Sequence, residues 1–258
     1  MEKKERHNIF INFKRFFLTS SILLITISWA QAQELKPIKL TAPDKKGGLP
    51  VMEAFALRAS VRAWSDKAVS AKDLSDMLWA ANGINRPDGK KTAASAMNSQ
   101  DIDVYVFMKE GIYLYDAASH ALNPVVGGDF RNQLGSPGGA RPPAAAPAGG
   151  SPGAGASTGA PAGVRAGGSA PGGGSTAPIL IFLVSDISRF RMGADDLKLQ
   201  WGAIDAGIVS QNIALFCAAK GLSTRPRASF GEDQIRSLLK LTDSQHPLLN
   251  LPVGYSAE

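Results

Sequence analysis

The spacing of apolar residues predicts both helices and strands along most of the chain. Between positions 71 and 81, Leu74, Met77, Leu78 and Ala81 recur at intervals of three and four, the period of one helix face. Ser70 with Asp73 makes a capping-box-like start for this helix, and Asn82-Gly83 makes a stop. A short apolar run, Leu49 to Leu57, predicts another helix upstream. Ile102 to Met108 instead alternates with period two, Lys109-Glu110-Gly111 turns, and Ile112 to Tyr115 returns, which reads as a hairpin. Ile179 to Val184 is continuously apolar and β-rich, the mark of a strand covered on both faces. Asp195 to Lys220 follows as a long helix closed by Gly221. On it, Leu197, Trp201, Ile204, Ile208, Gln211, Leu215 and Ala218 form one stripe. Ala203, Gly207, Ser210, Ala214 and Cys217, mostly small, run beside it. Two adjacent stripes predict burial over a wide face, in the core or across a subunit interface. Gln211 is the polar exception, suited to a hydrogen-bonded structural role. A last helix, Glu232 to Leu241, precedes an extended segment, His246 to Tyr255. The sum is a mixed α+β domain.

Two stretches break this pattern. Met1 to Arg15 is basic, Phe16 to Ala30 is apolar, and Ala30-Gln31-Ala32 supplies a small-residue cleavage site. That is the layout of a secretory signal peptide, residues 1–32, and it predicts export. The apolar run is short for a membrane span of ~20 residues, so cleavage is favoured and no stable span remains afterwards. Residues 136–176 collapse to Gly, Ala, Pro and Ser and cannot bury enough apolar surface to offset ordering entropy, which predicts a disordered insertion. Gly155-Ala156-Ser157-Thr158-Gly159 within it matches the nucleophile-elbow pattern but lacks the flanking strand and helix, so composition explains it. The remainder, within 33–258, is one interrupted domain.

Charge and rare residues remove several function classes. The formal net charge is +6, and the leader holds half of it, which leaves too little for a nucleic-acid partner. One cysteine, Cys217, excludes an internal disulfide and any CxxC motif. His7, His120 and His246 are scattered, so the sequence offers no His-built zinc site. There is no P-loop and no strand-flanked GxGxxG. What does stand out is "LRASVRAWS", Leu57 to Ser65. In extended backbone Arg58, Ser60 and Arg62 share one face and could present two guanidinium forks and a hydroxyl to a single phosphate or carboxylate. The same residues also suit a solvated edge strand or loop.

Three pieces occur in order: "LRASVRAWS", then "SAMNSQ" (Ser95 to Gln100), then "QNIALFCAAKGLSTRPR" (Gln211 to Arg227), with Pro252-Val253-Gly254-Tyr255 closing. In this the chain resembles the FMN-dependent nitroreductase family, and "LSDMLWAANGINRPDGKKTAASAMNSQDIDVYV" is similar to a bacterial subgroup of it. The resemblance implies a mixed sheet flanked by helices around a long buried helix, in an interwoven homodimer. It implies FMN, with Arg58, Ala59, Ser60 and Arg62 at the phosphate and ribityl chain, Asn98 at the flavin ring edge, and Arg227 closing on the phosphate. It also implies hydride or electron transfer through flavin N5, from a donor such as NAD(P)H to a small nitroaromatic or quinone acceptor. No catalytic acid or base is assigned, since the cofactor carries that chemistry. Ala59 departs from relatives that carry a second arginine or a histidine there, and Pro226 stands where relatives have β-formers. Export points to the periplasm or beyond, away from cytoplasmic reduced nicotinamide. The alternative is therefore an exported, non-catalytic flavin- or ligand-binding or interaction protein.

Overall fold

The computed structural model describes residues 35–133 and 176–257. The predicted signal peptide, nearly all of the low-complexity insertion and the Gly155–Gly159 match lie outside the described residues. Among the described residues, four α-helices form: α1 (Val51–Leu57), α2 (Ala71–Asn82), α3 (Asp195–Ala219) and α4 (Glu232–Leu239). Seven strands form one sheet: β1 (Ile38–Lys39), β2 (Ile102–Phe107), β3 (Gly111–Asp116), β4 (Ala121–Gly127), β5 (Ile179–Asp186), β6 (Ser223–Thr224) and β7 (Gln245–Gly254). The order is β1-β4-β3-β2-β5-β7-β6, and neighbouring strands pair antiparallel throughout.

The continuously apolar β5 sits near the centre, between β2 and β7, and is buried on both faces as its composition requires. One face of the sheet, through Tyr105, Phe107, Leu180, Phe182 and Val184, packs on Ile235 and Leu239 of α4. The Phe182 ring lies 5.1 Å from Phe107, tilted by 42°, and 5.4 Å from Phe230 in an edge-on arrangement that suits aromatic quadrupoles. Alternation turns Val104, Val106, Ile181 and Leu183 the other way. On that side α3 packs along the sheet, with α1 and α2 laid against it.

The helix caps follow the sequence. Ser70 Oγ accepts the Asp73 amide at 3.0 Å and donates to Asp73 Oδ2 at 2.7 Å. Gly221 takes a left-handed φ of +68° after α3. Gly83 ends α2 for a different reason from a left-handed cap. Its φ is −79°, but a Cβ there would lie 2.5 Å from the Trp79 ring, so close approach is what requires glycine.

Two expectations change. β4 escaped the sequence pattern because Asn123 and Pro124 interrupt it. Pro124 is accommodated where the β3–β4 register shifts, and a missing N–H is tolerated at such an irregularity. More consequentially, the two α3 stripes are only partly buried within this chain: Ser210, Ala214, Cys217 and Ala218 are buried, while Trp201, Ile208 and Leu215 are half-buried and Ala203 and Gly207 are exposed. Leu197 and Ile204 are 39% and 55% exposed and Gln211 is exposed, so Gln211 is no core group within this chain. The buried face carries Gly202, Asp205, Ala206, Val209, Ile213 and Cys217. The choice between two apolar stripes is made by the small residues, which let α3 lie close to the sheet, and by a carboxylate that finds partners there.

Candidate functional site

α1 ends on Arg58, whose amide still donates to Ala54 O at 2.9 Å. The chain then extends, and Ser60 forms a parallel bridge with Thr224 of β6. A bend follows at Arg62, so the strict alternation expected over 58–62 holds only in part. Beyond it, Trp64 bridges Ser256, the Ser65 amide donates to Tyr255 O at 3.0 Å, and the Ala257 amide donates to Ala63 O at 3.2 Å. The "LRASVRAWS" stretch is thus laced to both the segment after α3 and the "PVGY" end of β7. Lys67 Nζ over the Tyr255 ring, 3.8 Å from its centroid, adds a cation–π contact to that seam.

Within this fixed backbone, Arg58, Ala59, Ser60 and Arg62 are all exposed. Among the described residues no side chain forms a hydrogen bond or ion pair with either guanidinium or with the Ser60 hydroxyl. Folded proteins place many arginines at surfaces, but these two flank one hydroxyl on a backbone held from both sides. Such a set can give several charge-assisted hydrogen bonds to one doubly charged anion.

Arg227 lies on the adjoining segment, and its register is fixed. It exchanges two 2.8 Å backbone hydrogen bonds with Asn250, and its Nε donates to Asn250 Oδ1 at 2.8 Å. It is half-buried and lines a cavity of about 190 Å³ with Trp64, Arg131 and Pro252. Burial, then the neighbouring Arg225 charge, lower its pKa. One edge of Arg227 is therefore committed to the protein, while Arg225, which the sequence reading passed over, adds charge beside it.

Asn98 sits on a separate structure, the short 3₁₀ turn Ala96–Asn98, and is exposed. No hydrogen bond joins this loop to the arginine stretch among the described residues. Met97, Asn98 and Gln100 have φ of +54°, +54° and +50°. Three non-glycine residues in the left-handed region cost of order 1–3 kcal/mol each and need support. Some of it is local: the Gln100 amide donates to Ser95 Oγ at 2.8 Å, and Gln100 Nε2 donates to Gly89 O at 3.2 Å. The rest comes from below, where the Ala96 amide donates to Asp205 Oδ2 at 2.9 Å and Oδ1 at 3.2 Å.

That floor was missed in the sequence. Asp205, on α3, and Asp101, at the end of the loop, are both buried. Ser185 Oγ of β5 donates to Asp101 Oδ2 at 2.5 Å, while the buried Asp101 Oδ1 has no donor. Burial, with Asp205 facing it, pushes the Asp101 carboxyl up to about 7, against the pull of the Ser185 hydrogen bond. Gly202, one turn before Asp205, makes room: a Cβ there would collide with Ser185 and lie 3.3 Å from Asp101 Oδ2. The available signal was a lone carboxylate between Ile204 and Ala206, in the middle of an otherwise apolar helix.

The remaining polar cluster is structural. His120 Nδ1 is 2.9 Å from Tyr115 Oη, and its Nε2 is 2.9 Å from Ser75 Oγ and 3.0 Å from Thr41 O. Ser75 is fully buried and donates to Thr41 O, so this Ser–His pair ties the N-terminal segment to α2. Cys217 is fully buried, and burial pushes its thiol well up, which suits a packing role. Among the described residues no cluster of His, Cys, Asp or Glu could hold a metal.

Comparison with known proteins accords with this geometry. A family model described as the nitroreductase family matches residues 56–255. A protein of Methanocaldococcus jannaschii assigned as a nitroreductase is 25% identical over 207 residues, which cover 78% of this chain and 88% of the relative. Among solved structures, a protein of Ralstonia eutropha assigned as a nitroreductase superposes with a TM-score of 0.70 at 26% identity, over 88% of this chain and 92% of its own. The E. coli microcin synthetase complex includes a chain with a TM-score of 0.57 at 14% identity, over 90% of this chain and 82% of that one, a likeness of fold alone. The family model spans most of the chain, and the chain belongs to the nitroreductase family, as an oxidoreductase of the flavin type.

Proposed function

We propose that the protein is an FMN-dependent oxidoreductase. In this reading Arg58 and Arg62, with the Ser60 hydroxyl and the backbone at Ala59, hold the FMN phosphate and the adjoining ribityl chain. Arg225 and Arg227 add positive charge from the neighbouring segment, and the Asn98 amide, able to donate and accept, meets the flavin ring edge. The observation that carries the reading is the pair of exposed, unpartnered guanidiniums flanking Ser60 on a backbone fixed by Thr224 and Tyr255. The donor set fits a phosphate dianion: it is positive, forked and reachable from solvent. Bound flavin would supply hydride and electron transfer at N5, from a donor such as NAD(P)H to a small nitroaromatic or quinone acceptor. The protein's part is to hold and orient it, and no acid–base dyad is needed.

A homodimer accompanies this reading. Leu49, Val51, Met52, Phe55 and Leu57 are 42–73% exposed along α1, and Ile204 adds 55% on α3, against which α1 packs. Exposed apolar residues gathered on one short helix favour a protein partner, and a second copy of the chain is the partner we assign to them. The basic–apolar leader, residues 1–32, supports export to the periplasm or beyond. Export also favours a second reading, a flavin- or ligand-binding protein that does not turn over, because reduced nicotinamide is cytoplasmic.

An absorbance spectrum of the purified protein, with mass analysis of whatever denaturation releases, tests the first reading. FMN bound or taken up on addition, followed by steady oxidation of a reduced nicotinamide or dye, is the expected result. Bound FMN with no turnover selects the second reading. A colourless protein that also refuses added FMN sinks both flavin readings.

A further inference from the structure

We propose that Asp101 and Asp205 share one proton, and that this buried pair is the positioning element that holds the Asn98 loop in its ligand-ready shape. The functional part of this inference rests on the flavin reading above; the proton itself does not.

The geometry argues as follows. Asp101 Oδ2 is satisfied by Ser185 Oγ at 2.5 Å, yet Oδ1 is buried with no donor. A buried carboxylate oxygen without a donor costs heavily, and a second carboxylate facing it costs more. A proton on Asp101 Oδ1, directed at Asp205, removes both penalties. Asp205 then remains the acceptor for the Ala96 amide, which both of its oxygens approach. That N–H ties residues 96–100 to α3, beside the Ser95, Gly89 and Arg189 contacts at Gln100, and supports their three left-handed residues. Loss of the proton sets two buried like charges against each other. Asp205 must then swing away or draw in water, and the loop bearing Asn98 loses its floor.

Among the described residues no cation forms an ion pair with either carboxylate. From α3 the pair meets Gly202, and from β5 it meets Ser185. Arg189, on the turn after β5, donates to Gln100 O at 3.1 Å and Asp101 O at 3.4 Å, but its charge is paired with Asp103 at 2.8 Å and Asp186 at 3.4 Å. Lys91 feels both Asp101 and Asp103, and burial holds its own pKa down. Folding raises the Asp101 pKa, so its stabilising effect is complete below the ordinary carboxylate pKa and is lost as pH rises through about 7.

The test begins with flavin-free protein. Hydrogen exchange at the Ala96 and Gln100 amides, corrected for the intrinsic rate, is followed from about pH 6 to about pH 8.5. Protection should fall about tenfold in all, the change expected for the last pH unit below the folded-state midpoint, and level off above pH 7. FMN affinity, measured in parallel, should weaken over the same range. In Asp101→Asn, which mimics the protonated acid, protection and affinity should stop changing with pH. An infrared carbonyl band of a protonated carboxylic acid should appear in the wild type at about pH 6 and be absent from Asp101→Asn. Constant protection across the range, or no such band in the wild type, overturns the proposal even if the variant does not fold. Failure to bind FMN with the band and the protection change intact would instead refute the flavin reading alone.

Discussion

The two regions assigned to the ligand, the arginine stretch and the Asn98 loop, are built in opposite ways. Arg58, Ser60 and Arg62 are exposed, make no side-chain hydrogen bonds with described residues, and depend on the rest of the protein only for backbone placement. The Asn98 loop is also exposed at its tip, but its shape depends on buried groups from α3 and β5, chiefly Asp205, Asp101 and Ser185. One region holds its functional groups in reserve for a ligand. The other consumes polar groups internally so that a strained turn can exist. Changes in the first should therefore alter binding and leave stability alone, and changes in the second should alter both.

Four substitutions or conditions sharpen that contrast, in order of expected effect. Arg58→Ala with Arg62→Ala should weaken FMN by about 1.5–3 kcal/mol for each arginine, the scale of hydrogen bonds to charged groups. By thermal melting the flavin-free double variant should stay within about 0.5 kcal/mol per substitution of the wild type, as for surface changes elsewhere. Gly202→Ala should alter both stability and binding. Its Cβ meets Ser185, and overpacking of this kind costs about 1–3 kcal/mol, read by urea denaturation. FMN affinity should fall with it, because the floor of the Asn98 loop moves. Ser70→Ala, remote from both regions, should cost about 1 kcal/mol of stability through loss of the α2 cap, with the affinity of the folded protein for FMN unchanged.

The smallest effect is a pH dependence. Burial lowers the His120 pKa, and the Thr41 carbonyl only partly opposes this. The folded state therefore favours neutral His120, and the contribution is present above the ordinary histidine pKa and lost as pH falls below it. In the Asp101→Asn background melting temperature should decline modestly between about pH 7 and pH 5.5, and adding His120→Gln should flatten that decline. Asp101 acts with the opposite sign over an overlapping pH range, which is why its titration is removed for this reading.

How much was legible in the sequence follows the same division. The helices, the hairpin and the central strand were visible because burial imposes periods of 3.6 and 2 on apolar residues. The arginine stretch was visible because its side chains have no tertiary partner among the described residues, so their spacing stands out by itself. Asp205 was not, because one carboxylate in an apolar helix acquires meaning only when Asp101 and the Ala96 amide, more than a hundred positions away in the chain, come to meet it. For the same reason the sequence did not show which part of the two α3 stripes lies against the sheet. Leu197 and Ile204 are the larger apolar residues, but the face with Gly202 and Ala206 is the one that can lie close to the sheet. β4 was hidden by Pro124, and β1 and β6, at two residues each, are too short to show a period.

The central claim is that two guanidiniums clamp the phosphate of a flavin. The most direct measurement is a pair of titrations of the flavin-free wild-type protein, one with FMN and one with riboflavin, which differ only in that phosphate. FMN should bind far more tightly, and the gap should close in the Arg58→Ala, Arg62→Ala double variant. Equal affinities for the two flavins in the wild type would contradict the account.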